Sequence, residues 1–400
     1  MQLKLLNFHK MMSNFATNLV GGFIPLIIYK HTHSLFLAVG YLALTYLLQC
    51  VHHRVFKKLY IKQPQLMLLI RVFPILIYSL AIILIEFNLW LGVILTAIFT
   101  SMSSSFKSNA TEFILNYSIS QKTKSKSFGL TRVFEQLGSI ISYIAGGLFL
   151  DHLPAYVLII IAMVIYLISV VPLLIYYVRF KKEKGFNAEL VSNATLMLSQ
   201  REDTTTRGKK VSKRILFNYG LMYYLLGFLD QIANLFSILC FVKYGEFAMA
   251  GYFSAAYHLA YALGSYIVSL VGDKFDTTII SAVFLCVNGV CAAILPFVES
   301  EIAIYSLFAL IGIVYPFYSL FLIERMLAKT RILGISNKAL YIRNDVSSFA
   351  QSSVCWFGLF GTVIPSFIAM CVCLVTCGIL LPIGEEKTRK ELVNYLECNE

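Results

Sequence analysis

The sequence predicts an all-α integral membrane protein of twelve transmembrane helices in two six-helix bundles. Three observations predict it. The 400-residue chain is 58% hydrophobic and only 14% charged, where soluble domains carry about 25% charged residues. Its mean hydropathy of +0.75 could be kept from water only if lipid were the solvent. Its apolar runs each have the roughly 20 residues needed to cross a bilayer at ~1.5 Å per residue. They are continuous rather than alternating, which excludes the strands of a membrane barrel.

The order of elements follows from those runs. The first half gives spans at 11–30, 34–52, 66–85, 89–115, 129–150 and 155–179. The second gives 215–242, 248–271, 278–297, 302–325, 341–360 and 362–383. Between them lies the one long hydrophilic stretch before the tail, 181–214, which reads KKEKGFNAELVSNATLMLSQREDTTTRGKKVSKR. The expected units are therefore a bundle over 1–180, a linker over 181–214, a bundle over 215–385 and a tail over 386–400. Within the linker, 187–200 has a helical period suited to lying along a membrane surface, and a plain tether reads equally well. The N-terminus (MQLKLLNFHK) runs into the first span with no small-residue cleavage site, so no removable signal peptide is expected.

Charge sets the orientation. A net charge of +12 would suggest nucleic acid for a soluble protein, but here the charges sit in loops between apolar runs. On the side shared by both termini the loops and ends carry 26 Lys and Arg, and the opposite side carries only Lys30 and Lys243. Glu86, Asp151, Glu299 and Glu301 lie on that opposite side. The positive-inside rule then places both termini in the cytoplasm, and the split checks the span count. Eight of the nine cysteines fall inside spans, where they act as small apolar residues. His31/His33 and His52/His53 are pairs without further ligands, so no metal site is expected, and no cofactor either. Phosphate-cradling, metalloprotease and nucleophile-elbow motifs are absent from the sequence, which argues against an enzyme.

Three stretches carry a family resemblance. After the eighth span, Ser269-Leu-Val-Gly-Asp273-Lys274-Phe-Asp276 is similar to the G-x-x-x-D-[RK]-x-G loop signature of the major facilitator superfamily. The equivalent stretch after the second span, 51–58, keeps the basic cluster and lacks the acid. In the fifth span, Gly138-Ser-Ile-Ile-Ser142-Tyr143-Ile-Ala-Gly146-Gly147 resembles the glycine-rich stretch of the family's antiporters, with Ser142 and Tyr143 in place of its Gly-Pro pair. Small residues there also serve close helix packing. The third is a repeat: Glu112 precedes Arg132 by 20 residues, and Glu324 precedes Arg343 by 19, at matching places in the two halves. Glu324 and Arg331 also fit the E-x6-R spacing of sugar-carrying members. The resemblance implies two halves rocking about a midplane cavity lined chiefly by spans 1, 4, 7 and 10.

Ionisable residues inside spans cost roughly 2.5–3.5 kcal/mol each, so each needs a reason. Asp230 lies about 15 residues into the seventh span, roughly 22 Å along the helix and near the midplane. A carboxylic acid buried there could carry a proton. His258, among Tyr257 and Tyr261, is a second candidate relay or a packing histidine. Lys107 follows a run of serines and could attract an anionic group, snorkel, or pair with Glu112. Asn14, Asn18, Gln49, Gln231, Asn234, Tyr257, Tyr315 and Tyr318 complete the candidate cavity wall. Glu112, Arg132, Glu135, Asp273, Lys274, Glu324, Arg331, Arg343 and Asp345 form the candidate cytoplasmic gate. With 24 Tyr and 31 Phe, the wall suits a bulky, partly apolar cargo better than a small sugar.

The expectation is a monomeric secondary transporter of the cytoplasmic membrane, exchanging protons for an amphipathic small molecule or peptide-like product that it exports. An importer or uniporter of sugars or organic acids is the alternative in transport. A sensor or lipid flippase built on the same scaffold is the alternative outside it.

Overall fold

The computed structural model describes residues 2–118, 124–182, 206–271, 278–359 and 362–397. The loop acid Asp273, its neighbour Lys274 and the linker segment 187–200 lie outside the described residues. Among those described there are sixteen α-helices, two 3-10 turns and no strand. Ten segments are long and apolar enough to cross a membrane.

The first segment, Lys4–Thr32, is two helices in line, α1 (Gln2–Gly21) and α2 (Ile24–Thr32). The break falls at Gly21-Gly22, and Pro25 opens the second helix, where its missing N–H costs nothing. The second segment is α3 (Leu35–Val55), followed by the short α4 (Lys57–Lys62). The third is broken as well, into α5 (Pro64–Ile70) and α6 (Val72–Leu84), with Arg71 between them. Pro74 cannot donate to the Ile70 carbonyl, which loosens the helix at that point. Helices α7 (Leu89–Ser118), α8 (Lys124–His152) and α9 (Ala155–Lys182) complete the first half.

In the second half, α10 (Thr206–Gly227) and α11 (Ile232–Tyr244) flank a 3-10 turn over Leu229–Gln231. That irregular turn holds Asp230. Gly245, at φ +75°, ends α11 in the left-handed conformation that favours glycine. There follow α12 (Phe247–Val271), α13 (Thr278–Ile294), α14 (Glu301–Ile332), α15 (Ser336–Phe357) and α16 (Ile364–Glu397).

Two helices of crossing length, α12 and α15, are not among the ten apolar segments. Protein shields their polar faces. Helix α12 packs along α8 and α14, and α15 along α3 and α10. Ser352 on α15 donates to the Ala43 carbonyl of α3 at 2.9 Å.

Several boundaries differ from the sequence expectation. The fifth span starts at Lys124, the seventh at Thr206 inside the stretch expected as linker, and the eleventh at Ser336, while the tenth runs on to Ile332. The first helix starts at Gln2 rather than 11, because Leu5 and Leu6 extend its apolar side. The last helix runs to Glu397, through most of the stretch expected as a tail. Its extension is tied to α10 by Thr388, which accepts from Asn218 at 3.3 Å, and by Glu391, which pairs with Arg214 at 3.1 Å. The sixth span likewise runs on to Lys182.

The halves meet through two reciprocal helix pairs, α8 with α12 and α3 with α15. Fifth span against second, and second against fifth, is the pattern expected of two repeats related by a twofold axis along the membrane normal. Glycines let α8 approach α1 within its own half and α12 across the halves; a Cβ on Gly147 would lie 2.7 Å from the Phe247 carbonyl oxygen. A Cβ on Gly138 would lie 2.2 Å from the Met11 carbonyl oxygen, and one on Gly146 2.4 Å from that of Leu19. From the other side, a Cβ on Gly251 of α12 would lie 2.4 Å from the Tyr143 carbonyl oxygen. The glycine pattern of the fifth span is thus used up in close helix contact.

Candidate functional site

Two cavities lie between the halves. The first, about 270 Å³, is lined by Lys10, Gln49, Lys107, Glu112, Arg132 and Glu135, with Gln351 from the second half. The second, about 210 Å³, is lined by Asn18, Tyr41, Arg71, Tyr78, Tyr143 and Lys107, with Asn234 from the second half. They abut, since Tyr46, Ser104 and Lys107 line both. The first cavity lies toward the end of the molecule that carries the termini.

The first cavity is built around one buried carboxylate. Glu135 on α8 is approached by Lys107 of α7 at 2.8 Å, by Arg132 one turn before it at 3.2 Å, and by Lys10 of α1 at 3.5 Å. Its backbone carbonyl accepts from Asn14 Nδ2 at 3.1 Å, and Asn14 Oδ1 accepts from Lys107 at 2.5 Å. The buried acid offsets the desolvation of the cations that meet it, and three cations on one acid leave the site positive. Lys107 is therefore partnered with Glu135 and Asn14, and not with Glu112.

Glu112 serves a different purpose. Arg343 of α15 pairs with it across the halves, and Arg132 lies 4.0 Å away. The sequence repeat suggested separate couples within each half, Glu112 with Arg132 and Glu324 with Arg343. Instead arginines from both halves converge on Glu112. Beside them Asn344 donates to Asn109 at 2.9 Å. Asp345 accepts from Arg54 at 3.1 Å, and Lys57 sits 4.3 Å over the Tyr341 ring. These contacts close the termini side. Glu324 and Arg331, both on the last turns of α14, line neither cavity.

On the opposite side, closure is aromatic. Tyr29 meets Phe241 edge-on at 6.2 Å, and Phe23 meets Phe247 at 6.2 Å. The Asp151 carboxylate at the end of α8 accepts from the backbone N–H of Phe247 at 2.9 Å and of Ala248 at 2.8 Å. An acid at the start of α12 is favoured by the helix dipole.

Asp230 accepts from three neutral donors: Tyr315 Oη, Ser347 Oγ at 3.1 Å and Gln351 Nε2 at 2.8 Å. It forms no ion pair among the described residues. Because Gln351 also lines the first cavity, Asp230 is one hydrogen bond from that space. Gln231 is buried and accepts from Asn234 at 3.0 Å, and Asn234 also donates to Tyr46 at 3.4 Å. Gln49 faces the first cavity, and its side-chain oxygen has no partner. Asn18 donates to Ser139 at 2.9 Å.

Some expected wall residues are elsewhere. His258 is stacked on Tyr143, centroids 5.0 Å apart, and donates to Gln136 at 2.5 Å. It lies in the α8–α12 contact and lines neither cavity. Tyr257 packs edge-on against Phe308 at 6.0 Å. Tyr318 accepts from Asn288 at 2.8 Å inside the second bundle. The expected wall of spans 1, 4, 7 and 10 is accordingly only partly realised, since the tenth span's tyrosines are turned to Asp230 and Asn288 and the second, third and fifth spans take its place.

Sequence reasoning missed Lys10, Arg71, Ser347 and Gln351. Lys10 was assigned to the exposed N-terminal end because the first span was drawn too short. Arg71, an arginine inside an apolar run, carried the same signal as Lys107. For Ser347 and Gln351 the signal was a serine- and glutamine-rich face in a stretch of membrane length.

The sequence profile of the Major Facilitator Superfamily matches residues 8–337. No curated protein matches the chain. Among solved structures, it is similar to the proton:xylose symporter XylE, with a TM-score of 0.68 at 10% identity, over 95% of this chain and 94% of that one. A POT family transporter in complex with a thioalcohol-conjugated peptide is similar over 96% of both chains, with a TM-score of 0.63 at 13% identity. The human organic anion transporter MFSD10 (TETRAN) is similar over 95% of this chain and 98% of that one, with a TM-score of 0.60 at 11% identity. At such identities the likeness speaks for the fold alone. The profile match spans most of the chain, and this protein belongs to the Major Facilitator Superfamily.

Proposed function

We propose that the chain is a proton-coupled secondary transporter that works by alternating access and exports an amphipathic small molecule bearing an anionic group. The observation that carries this reading is the pair of abutting cavities between the halves. Their walls combine a surplus of lysine and arginine over acids with several tyrosines. Such a wall suits a partly apolar body with a negative end. The two rows of contacts, around Glu112 and Arg343 and around Tyr29 and Phe241, would open alternately as units 1–180 and 215–385 rock. The positive-inside bias puts both termini in the cytoplasm of the cell membrane.

Asp230 is the proposed proton carrier. A carboxyl held by neutral donors alone can gain or lose a proton without breaking an ion pair, whereas Glu135 cannot. His258, locked in a helix contact, takes no part in this proposal.

A second reading, uptake of an organic acid, is favoured by the same cationic wall. Everted membrane vesicles expressing the protein would be assayed for accumulation of labelled amphipathic anions, with and without a protonophore. Protonophore-sensitive accumulation in everted vesicles supports export. Accumulation confined to right-side-out vesicles supports uptake, and transport unchanged by the protonophore removes the coupling claim. With Asp230→Asn, proton-driven accumulation is expected to be lost while exchange of labelled for unlabelled compound persists.

A further inference from the structure

Arg71 has no place in the scheme above. It stands in the break between α5 and α6, about 10 Å along its span from Pro64, and is 3% exposed. Its Nε donates to the Ser103 carbonyl at 3.2 Å and to Ser103 Oγ at 3.0 Å, and its guanidinium lies 5.7 Å from the Tyr166 ring centre. It forms no ion pair among the described residues, and the described hydrogen bonds leave its Nη groups unused. A buried, unpaired arginine is expensive in a membrane. Every other arginine or lysine facing these cavities has an acid: Lys10, Lys107 and Arg132 share Glu135.

The second cavity supplies what Arg71 lacks. Its lining holds two cations, Arg71 and Lys107, and no carboxylate. Tethering Nε to Ser103 fixes the guanidinium plane, so the remaining donors present the fork that binds carboxylate or phosphate oxygens two at a time. Tyr41, Tyr46 and Tyr78 line the same space.

The first cavity has the complementary character. There Gln49 Oε1, Thr111 Oγ1 and Glu112 Oε2 are buried without partners. All three residues line that cavity, so a small side-chain rotation offers these oxygens to a hydrogen-bond donor. An ammonium is disfavoured, because Lys10, Lys107, Arg132 and Arg343 already surround Glu112 and Glu135. A hydroxyl or amide satisfies the same oxygens without that repulsion.

We infer that Arg71 and Lys107 form an anion subsite that seats the charged head of the cargo, a carboxylate or a phosphate monoester, with a neutral donor group at its other end reaching Glu112 and Gln49. Each cavity alone is smaller than the ~300 Å³ at which drug-sized sites begin, so the cargo spans both. This inference rests on the transport reading for the word cargo, but not for the subsite.

The test is binding to detergent-purified full-length protein at constant ionic strength, read by thermal unfolding and by displacement of labelled benzoate. The probes are benzoate, phenyl phosphate, benzamide, para-(hydroxymethyl)benzoate and para-(aminomethyl)benzoate. One or both anions are expected to bind and benzamide not, and the tighter of the two identifies the head group. Arg71→Gln is expected to weaken that binding about tenfold or more, the value of a charge-assisted hydrogen bond. Arg71→Lys, which keeps the charge and loses the fork, is expected to fall between. The hydroxymethyl compound is expected to bind more tightly than the aminomethyl one.

Absence of anion binding to the wild type overturns the subsite, as does undiminished binding to a well-folded Arg71→Gln protein. If Arg71→Gln does not fold, Arg71→Lys with wild-type affinity overturns it. Preference for the aminomethyl compound overturns the neutral-donor assignment. Arg71-dependent binding without movement of the same compound in proteoliposomes sinks the transport reading and leaves the subsite standing.

Discussion

Glu135 shows how much one carboxylate can hold together. It receives Lys10, Lys107 and Arg132 from three helices, and it is the one carboxylate in contact with all three. Replacing it by glutamine leaves three buried cations facing one another. Glu135→Gln is expected to cost about 3–5 kcal/mol, the usual penalty for orphaning a buried charge, seen as a lowered unfolding temperature in detergent. Adding Lys10→Met is expected to recover part of that loss, because the two sites are in contact and so not additive. A double mutant that merely sums the two single losses would show that the pair is uncoupled. Lys107 and Asp230 were legible in the sequence, since an ionisable group in an apolar run is conspicuous. Their partners were not. Which acid meets which base depends on how three helices rotate about their axes, and no spacing along one helix records that.

At the scale of elements, α8 is the helix on which the first half is assembled. Its glycines admit the backbones of α1 and α12, and the carbonyl contacts leave no room for a side chain. Gly146→Leu is expected to prevent recovery of folded protein, and Gly146→Ala to lower its unfolding temperature. Gly21→Ala, where a Cβ meets nothing within 4 Å, is expected to be tolerated. Size-exclusion profiles and thermal unfolding of the three variants check this, and an unaffected Gly146→Leu protein would refute the packing. The same geometry explains why the glycine stretch of the fifth span was read two ways from sequence. Small residues are needed for close helix contact whether or not the helix does anything else. Boundaries were the weakest part of the sequence reading. A first span starting at 11 leaves Lys4 and Lys10 among the terminal charges, and Lys10 is in fact 4% exposed.

For the whole molecule, the contacts between the halves differ in kind at the two ends. Ion pairs and amides join Glu112, Arg343, Asn109, Asn344, Arg54 and Asp345 on the termini side, and rings meet on the other. Under the rocking proposal the polar set must part once per cycle. In a cysteine-free background, Asn109→Cys with Asn344→Cys is expected to cross-link on oxidation and stop transport, with activity restored by reductant. Full activity with the cross-link formed would exclude opening at that place. Arg343→Gln is expected to weaken this end and to raise labelling of cavity cysteines by reagents added from the termini side. Asp151→Ala is expected to do the reverse, because it removes two hydrogen bonds to α12.

Composition and hydropathy by themselves determined the solvent, the helical class and nearly all the membrane segments, because those properties follow from what each residue loses on leaving water. The same residue-by-residue signal marked Asp230 and Lys107 as groups needing a reason. Two of the helices expected from apolar runs, α12 and α15, are less apolar than the other ten segments. Only packing shows why they can be polar: Ser254 of α12 meets Ser237 of α11, and Asn344 and Ser352 of α15 meet α7 and α3. The tertiary structure alone decided that Glu135 gathers three cations, that Glu112 binds an arginine from each half, that His258 belongs to a helix contact, and that Arg71 looks into a cavity without an acid. Each of these is a matter of distance between residues far apart in the chain. Such distances are set by helix rotation and close approach, on which composition and spacing are silent.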